Sequence, residues 1–181
     1  MGYECIRDNR LIIIKTSLGE LEVELFGNTN PVTVTNFINN VKRRKYEGTK
    51  FYKVIKFKNI KVIHAGIFSK AEILQNKDDN VSKYGLIPLE IKFKNKREPI
   101  YSKEIDNPSE IINLKNLFQR GSIAMVKVDK FNSSSTEFFL LTEKLSELDG
   151  RFSIFGKIVK GFSILEKLEE KDMINEILIT Y

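Results

Sequence analysis

The chain has 181 residues, 41% of them hydrophobic and 13 of them Phe, enough apolar mass to bury a core within one domain spanning 1–181, which excludes disorder as a whole-chain description. Cys5, with no second cysteine and no neighbouring histidine, excludes an intramolecular disulfide framework and argues against thiol or metal chemistry, and no run approaches the roughly 20 apolar residues of a membrane span. The +6 charge gathers at "KRRK" (42–45), "KFKNIK" (56–61) and "KFKNKR" (92–97); because lysine is abundant throughout, these read as a solvated surface rather than a nucleic-acid site, on a chain with no secretory pattern that is expected in the cytoplasm or, alternatively, the nucleus.

"LIIIKT" (11–16) and "ELEVELF" (20–26) flank a turn at Ser17–Gly19. In the second run Leu21, Val23 and Leu25 alternate with Glu20, Glu22 and Glu24, the period of a half-buried strand, so the pair predicts an antiparallel hairpin. Asn30 is a candidate N-cap and Pro31 suits a first helical position. Val34, Phe37, Ile38 and Val41 then share a face, and Lys42, Arg43 and Arg44 meet the negative end of the helix dipole. The β pattern resumes in "FYKVIKFKNIKVIHAG" (51–66). It returns at "GSIAMVK" (121–127), "EFFLLT" (137–142), "SIFGKIVK" (153–160) and "NEILITY" (175–181). Between the last two, "GFSILEKLEE" sets Phe162, Leu165 and Leu168 on one side of a second helix. Residues 67–120 hold three of the four prolines and read as a long irregular, insertion-bearing segment. Many short strands with two helices lack the intervening helices of a doubly wound sheet. A closed antiparallel barrel capped by helices accounts for the pattern and removes exposed strand edges.

The stretch 51–66 places the chain's single histidine, His64, near a phenol, Tyr52, and a cation, Lys53. Those groups suit either an active site or the rim of a barrel, and the residue types alone leave both open.

"IKTSLGELEVELF", "NPVTVTNFINNV" and "YEGTKFYKVI", followed by "GSIAMVK", "SSSTEFFLLT" and "LDGRFSIFGKIVKGFSILEKL", stand in the order and near the spacing of cyclophilins. Over nearly its whole length the chain resembles that family of peptidyl-prolyl cis-trans isomerases, and "REPI" with "RGSIAM" is most similar to its compact bacterial branch. The resemblance implies a mostly β fold: a closed eight-stranded antiparallel β-barrel capped by two α-helices, with a groove on its outside. It also implies rotamase activity on proline-containing peptide segments, with no cofactor and no metal. The barrier to turning an X–Pro bond is about 18–20 kcal/mol. The family lowers it by placing an arginine near the prolyl nitrogen and carbonyl, beside an apolar socket for the ring.

Carried over residue by residue, the resemblance puts Lys53 at the arginine position and Tyr52 at the histidine before it. Lys61, Val62 and His64 fall where the family has a pocket phenylalanine, a methionine and a backbone-binding glutamine. Val126 and Lys127 replace small and amide-bearing residues, and Glu137 replaces a glutamine. Phe139 and Leu148 keep pocket positions, while Glu147 stands where many members carry tryptophan and Phe152 where many carry histidine. An aromatic and a leucine on barrel strands are core residues more often than pocket walls, and His64 is more often a satisfied histidine near a strand end than a ligand contact. Lysine keeps the charge but loses the planar, multi-donor fork of arginine. The altered groove therefore implies weak or absent isomerase activity. The alternative is a catalytically silent protein-interaction module, as cyclophilin-like domains are in spliceosomal assemblies.

Overall fold

The computed structural model describes residues 5–67 and 85–180. β1 (Arg10–Thr16) and β2 (Gly19–Leu25) form the hairpin, in register from Arg10↔Leu25 to Thr16↔Gly19. Their alternation sends Ile12, Ile14, Leu21, Val23 and Leu25 into the main core. α1 (Pro31–Lys42) lays Val34, Phe37, Ile38 and Val41 on the same core. There follow β3 (Thr49–Lys50), β4 (Lys53–Phe57), β5 (Ile60–Ala65), β6 (Leu86–Pro88), β7 (Glu90–Ile91) and β8 (Ile100–Tyr101). α2 (Pro108–Ile111), β9 (Ser122–Lys127), β10 (Asn132–Leu141), β11 (Ile154–Lys160), α3 (Phe162–Lys167) and β12 (Met173–Thr180) complete the described chain. On α3, Leu165 is buried, and Leu168 just beyond it joins the core against which Phe162 packs.

The main sheet has ten strands in the order β3-β12-β1-β2-β11-β9-β10-β5-β4, with β6 paired to β10. It curls through 275°. The fold is mostly β, but the expected eight-stranded closed cylinder needs correction. β3 and β4 are the two ends of the sheet order yet neighbours in the chain, because the segment 49–57 changes partner at Phe51 and Tyr52. There single hydrogen bonds replace the ladder: Phe51 N–H donates to Asp172 O (2.9 Å), Lys171 N–H to Phe51 O (3.0 Å) and Tyr52 N–H to His64 O (3.0 Å). The expected pair of helices also becomes three among the described residues. α2 is capped by Asn107, whose side chain accepts from Ser109 N–H at 3.0 Å, but it is four residues long and buries none of them, so it carries no periodic signal.

The expected irregular segment falls partly outside the described residues, as do Tyr181 and all of 68–84. Its described part, 85–120, carries β6, β7, β8 and α2. Leu89, Ile91, Phe93, Ile105 and Leu114 pack there into a cluster of their own. Gly150, at φ +78, presses against the Ile105 carbonyl where a Cβ would collide, and accepts from Ile105 N–H at 2.9 Å. That seam fixes the loop 145–152 against the segment.

A buried carboxylate makes the other join. Asn30 stands at the N-cap of α1, but its side chain makes no cap bond; its amide donates instead to Glu90 O at 2.9 Å. The cap comes from Glu90, which is 0% exposed. Its oxygens accept from Val32 N–H (3.1 Å), Thr33 N–H (2.9 Å) and the Thr33 hydroxyl (2.7 Å), and the Ser153 hydroxyl accepts from Glu90 N–H at 2.8 Å. Burial outweighs these donors and holds the carboxyl above its ordinary value. Glu90→Ala leaves buried donors unpaired and is expected to lower stability by about 2–4 kcal/mol in urea unfolding, with Glu90→Gln losing less. A raised folded-state pKa means the native chain holds a proton that the unfolded chain has released. The stability difference between wild type and Glu90→Gln should therefore shift against the wild type as pH rises from the ordinary carboxylate value through the folded one.

Candidate active site

Strand parity assembles the site. β4 pairs β5 with Lys53↔His64 and Ile55↔Val62, and β10 pairs β5 with Phe139↔His64 and Leu141↔Val62. Lys53, His64 and Phe139 thus form one row across three strands on the outer face. Ile63, Ala65, Phe138 and Leu140 point the other way, into the main core.

Phe139 is 2% exposed. Its ring lies 5.6 Å from that of His64, stacks on Phe118 at 5.9 Å and meets Phe152 edge-on at 5.3 Å. Val62, Val126, Leu145 and Leu148 pack around this cluster. Beside it the Tyr52 hydroxyl donates to Glu137 Oε2 at 2.7 Å and lies 3.5 Å from His64 Nδ1. Burial, then the Glu137 carboxylate, pushes the phenol well above its ordinary pKa, so Tyr52 remains a proton donor. Burial, then the Lys53 ammonium, lowers the pKa of His64, so its ring is neutral at pH 7. Lys53 itself is exposed. The Lys127 ammonium pairs with Glu104 and lies 5.5 Å over the Phe152 ring, which bears on Phe139.

Most of the residues singled out in the sequence therefore meet: Tyr52, Val62, His64, Val126, Lys127, Glu137, Phe139, Leu148 and Phe152, with Lys53 at the edge. Lys61 goes elsewhere. It shares the inward parity of Ile63, and its ammonium leaves the end of the sheet to reach Glu166 O (2.7 Å) and Glu169 Oε1 (2.7 Å) beside α3. Glu147 is exposed on the short turn Ser146–Leu148. Two contributors escaped the sequence reading. Phe118 is held under Phe139 by its N–H donating to Asp149 Oδ1 at 2.6 Å. The apolar pair Leu117-Phe118, alone in a polar stretch before a strand, was the available signal. Glu104 had none, because the fold of segment 85–120 sets its position. Among the described residues no group of three or more His, Cys, Asp and Glu is arranged to hold a metal ion, and no helix is long and apolar enough to cross a membrane.

A family model described as cyclophilin type peptidyl-prolyl cis-trans isomerase/CLD matches residues 11–179. A peptidyl-prolyl cis-trans isomerase of Acinetobacter baylyi is 27% identical over 165 residues, covering 88% of this chain and 72% of that protein. The crystal structure of a cyclophilin type peptidyl-prolyl cis-trans isomerase from Cryptosporidium parvum is similar at TM-score 0.66 and 24% identity, over 96% of this chain and 99% of that one. A second structure of it, in the presence of the dipeptide Ala-Pro, gives TM-score 0.64 at 24% identity, over 95% of this chain and 99% of that one.

With one histidine in the chain, the ring protons give an isolated NMR titration. His64 should titrate below 6.5, its ordinary value. Lys53→Ala should move the midpoint upward without restoring that value, because burial is the larger cause; an unmoved midpoint would place the ammonium away from the ring.

Proposed function

The chain belongs to the cyclophilin-type peptidyl-prolyl cis-trans isomerase family, and on that premise we propose that it holds proline-containing peptide segments along the row Lys53, His64 and Phe139 and turns their prolyl bonds over slowly. The observation that carries this is the place of Lys53, in register with His64 and one strand from Phe139. As an X–Pro amide twists, its nitrogen becomes pyramidal and a better hydrogen-bond acceptor. An ammonium at position 53 donates to it as a point charge, where a guanidinium would offer a rigid fork. Losing one preorganised donor costs about 2–4 kcal/mol, or roughly 10²–10³ in rate. His64 and Tyr52 are well placed to hold the flanking backbone, the phenol as a donor kept protonated by its surroundings. The chemistry needs no cofactor. A relative of this fold studied in the presence of Ala-Pro supports the substrate class. The single cysteine suits a reducing setting, which we take to be the cytoplasm, with the nucleus as the alternative.

A second reading is favoured by Phe152. Its ring bears on Phe139 with Lys127 across it, so on this reading the protein's own side chain takes the place that the family resemblance gives to a prolyl ring. A cleft filled in this way suits a catalytically silent module that docks a protein partner, for instance in a spliceosome-like assembly.

A protease-coupled proline isomerisation assay separates the two. Slow catalysis by the wild type is expected at high protein concentration, lost in Lys53→Ala and raised by up to about 10² in Lys53→Arg. No acceleration by any of the three leaves the silent module.

A further inference from the structure

We propose that the β4–β5 ribbon extends the candidate groove and takes the acidic, apolar flank of a proline-containing peptide, an inference that rests on the reading of the groove as a proline-peptide site. The two strands run together from Lys53↔His64 to Phe57↔Ile60 and turn at Lys58–Asn59, with Lys58 in the left-handed region at φ 53. The two faces of the ribbon differ. At the free edge of β4 Val54 N–H donates to Glu170 Oε1 at 3.1 Å, and on the inner side the Lys56 and Lys61 ammoniums both meet Glu169, at 2.8 and 2.7 Å. That side is neutralised by the turn after α3. On the outer side Ile55 is 43% and Phe57 62% exposed, while Ile60 and Val62 are half-buried. Single exposed apolar side chains are ordinary, but here neighbouring pairs on two strands share one face.

Two observations say what covers that face. The first is continuity. Ile55 faces Val62, which packs in the same cluster as Phe139, so the apolar strip begins where the groove ends. The second is charge. Lys53 and Lys58 flank the strip and have no acidic partner among the described residues; Lys58 Nζ lies 5.4 Å over the Phe57 ring. An apolar strip rimmed by unneutralised ammoniums attracts a segment with apolar and acidic side chains and repels a basic one. Three of its four members, Ile55, Ile60 and Val62, are aliphatic and Phe57 alone could stack a base, so a peptide fits the strip better than a nucleic acid. At about 3.3 Å per residue, Phe57 lies roughly 13 Å along the strand from Lys53, within reach of a peptide side chain about four residues from the proline.

The test is an NMR titration of the ¹⁵N-labelled chain. One probe carries an Ala-Pro bond with a Leu-Glu pair about four residues before it, another has the pair after it, and a control has serine at those places. We expect shifts in both groove and ribbon, and one Leu-Glu peptide bound about tenfold more tightly than the serine control, an advantage that Ile55→Ser with Phe57→Ser removes and added salt reduces. Shifts confined to the groove with equal affinities would overturn the ribbon site and leave the groove reading standing. Ribbon shifts without groove shifts would support the site and count against that reading; no shift in either would overturn both.

Discussion

The Glu90 carboxylate joins parts of the molecule that lie far apart in the chain. It caps α1 through Val32 and Thr33, its own N–H donates to Ser153, and its carbonyl takes the Asn30 amide. The helix, the segment around β7 and the start of β11 are thus tied at one fully buried point. Ser153 follows Phe152, so the same join fixes the backbone behind the ring that covers Phe139. A buried carboxyl is costly to ionise, and the donors gathered around this one offset that only in part. It is better understood as a device for register than as a source of net stability: shifting the segment by one residue would strand the helix N–H groups without an acceptor.

What happens on the outer face follows from where that join leaves the rings. Phe118, Phe139 and Phe152 pack at 5.3 to 6.0 Å in stacked and edge-on pairs, geometries that favour a fixed cluster over a mobile one. Polar groups then stand along one side of it. Tyr52 and Glu137 share a hydrogen bond, and the neutral His64 ring lies between that pair and Lys53. The site therefore combines one exposed cation with a phenol that stays protonated, both anchored on a rigid apolar base. On the proposed reading, this arrangement holds a peptide backbone and leaves catalysis to a single ammonium.

Much of this was legible in the sequence because it depends on local periodicity. The alternation in 20–26 and the i, i+3, i+4 spacing of Val34, Phe37 and Ile38 are direct consequences of strand and helix geometry, and the structure follows both. What failed was non-local. Asn30 has the chemistry of an N-cap, but the cap is delivered by a residue about sixty positions on, which no local pattern reveals. β10 begins at Asn132 rather than near Glu137, since its polar start "NSSST" is held by pairing with β6 and β9 and not by hydropathy. Phe118 entered the site through a hydrogen bond to Asp149, a contact between two loops.

Lys61 shows most clearly what residue-by-residue likeness leaves out. Its position in the string resembles a pocket residue, yet side chains on a strand alternate, and the pairing of β5 with β4 and β10 assigns Val62 and His64 to the outer face. Lys61 must then share the face of Ile63 and Ala65, which is core. It lies close enough to the turn for a four-carbon stem to carry its ammonium out of the sheet, where the last carbonyls of α3 and Glu169 receive it. A one-residue slip of β5 would reverse every one of these assignments, sending the imidazole inward and the ammonium into the cleft. The register of one hairpin, set by the two-residue turn at Lys58–Asn59 and by the apolar side chains it must bury, therefore decides which charges the outer face presents.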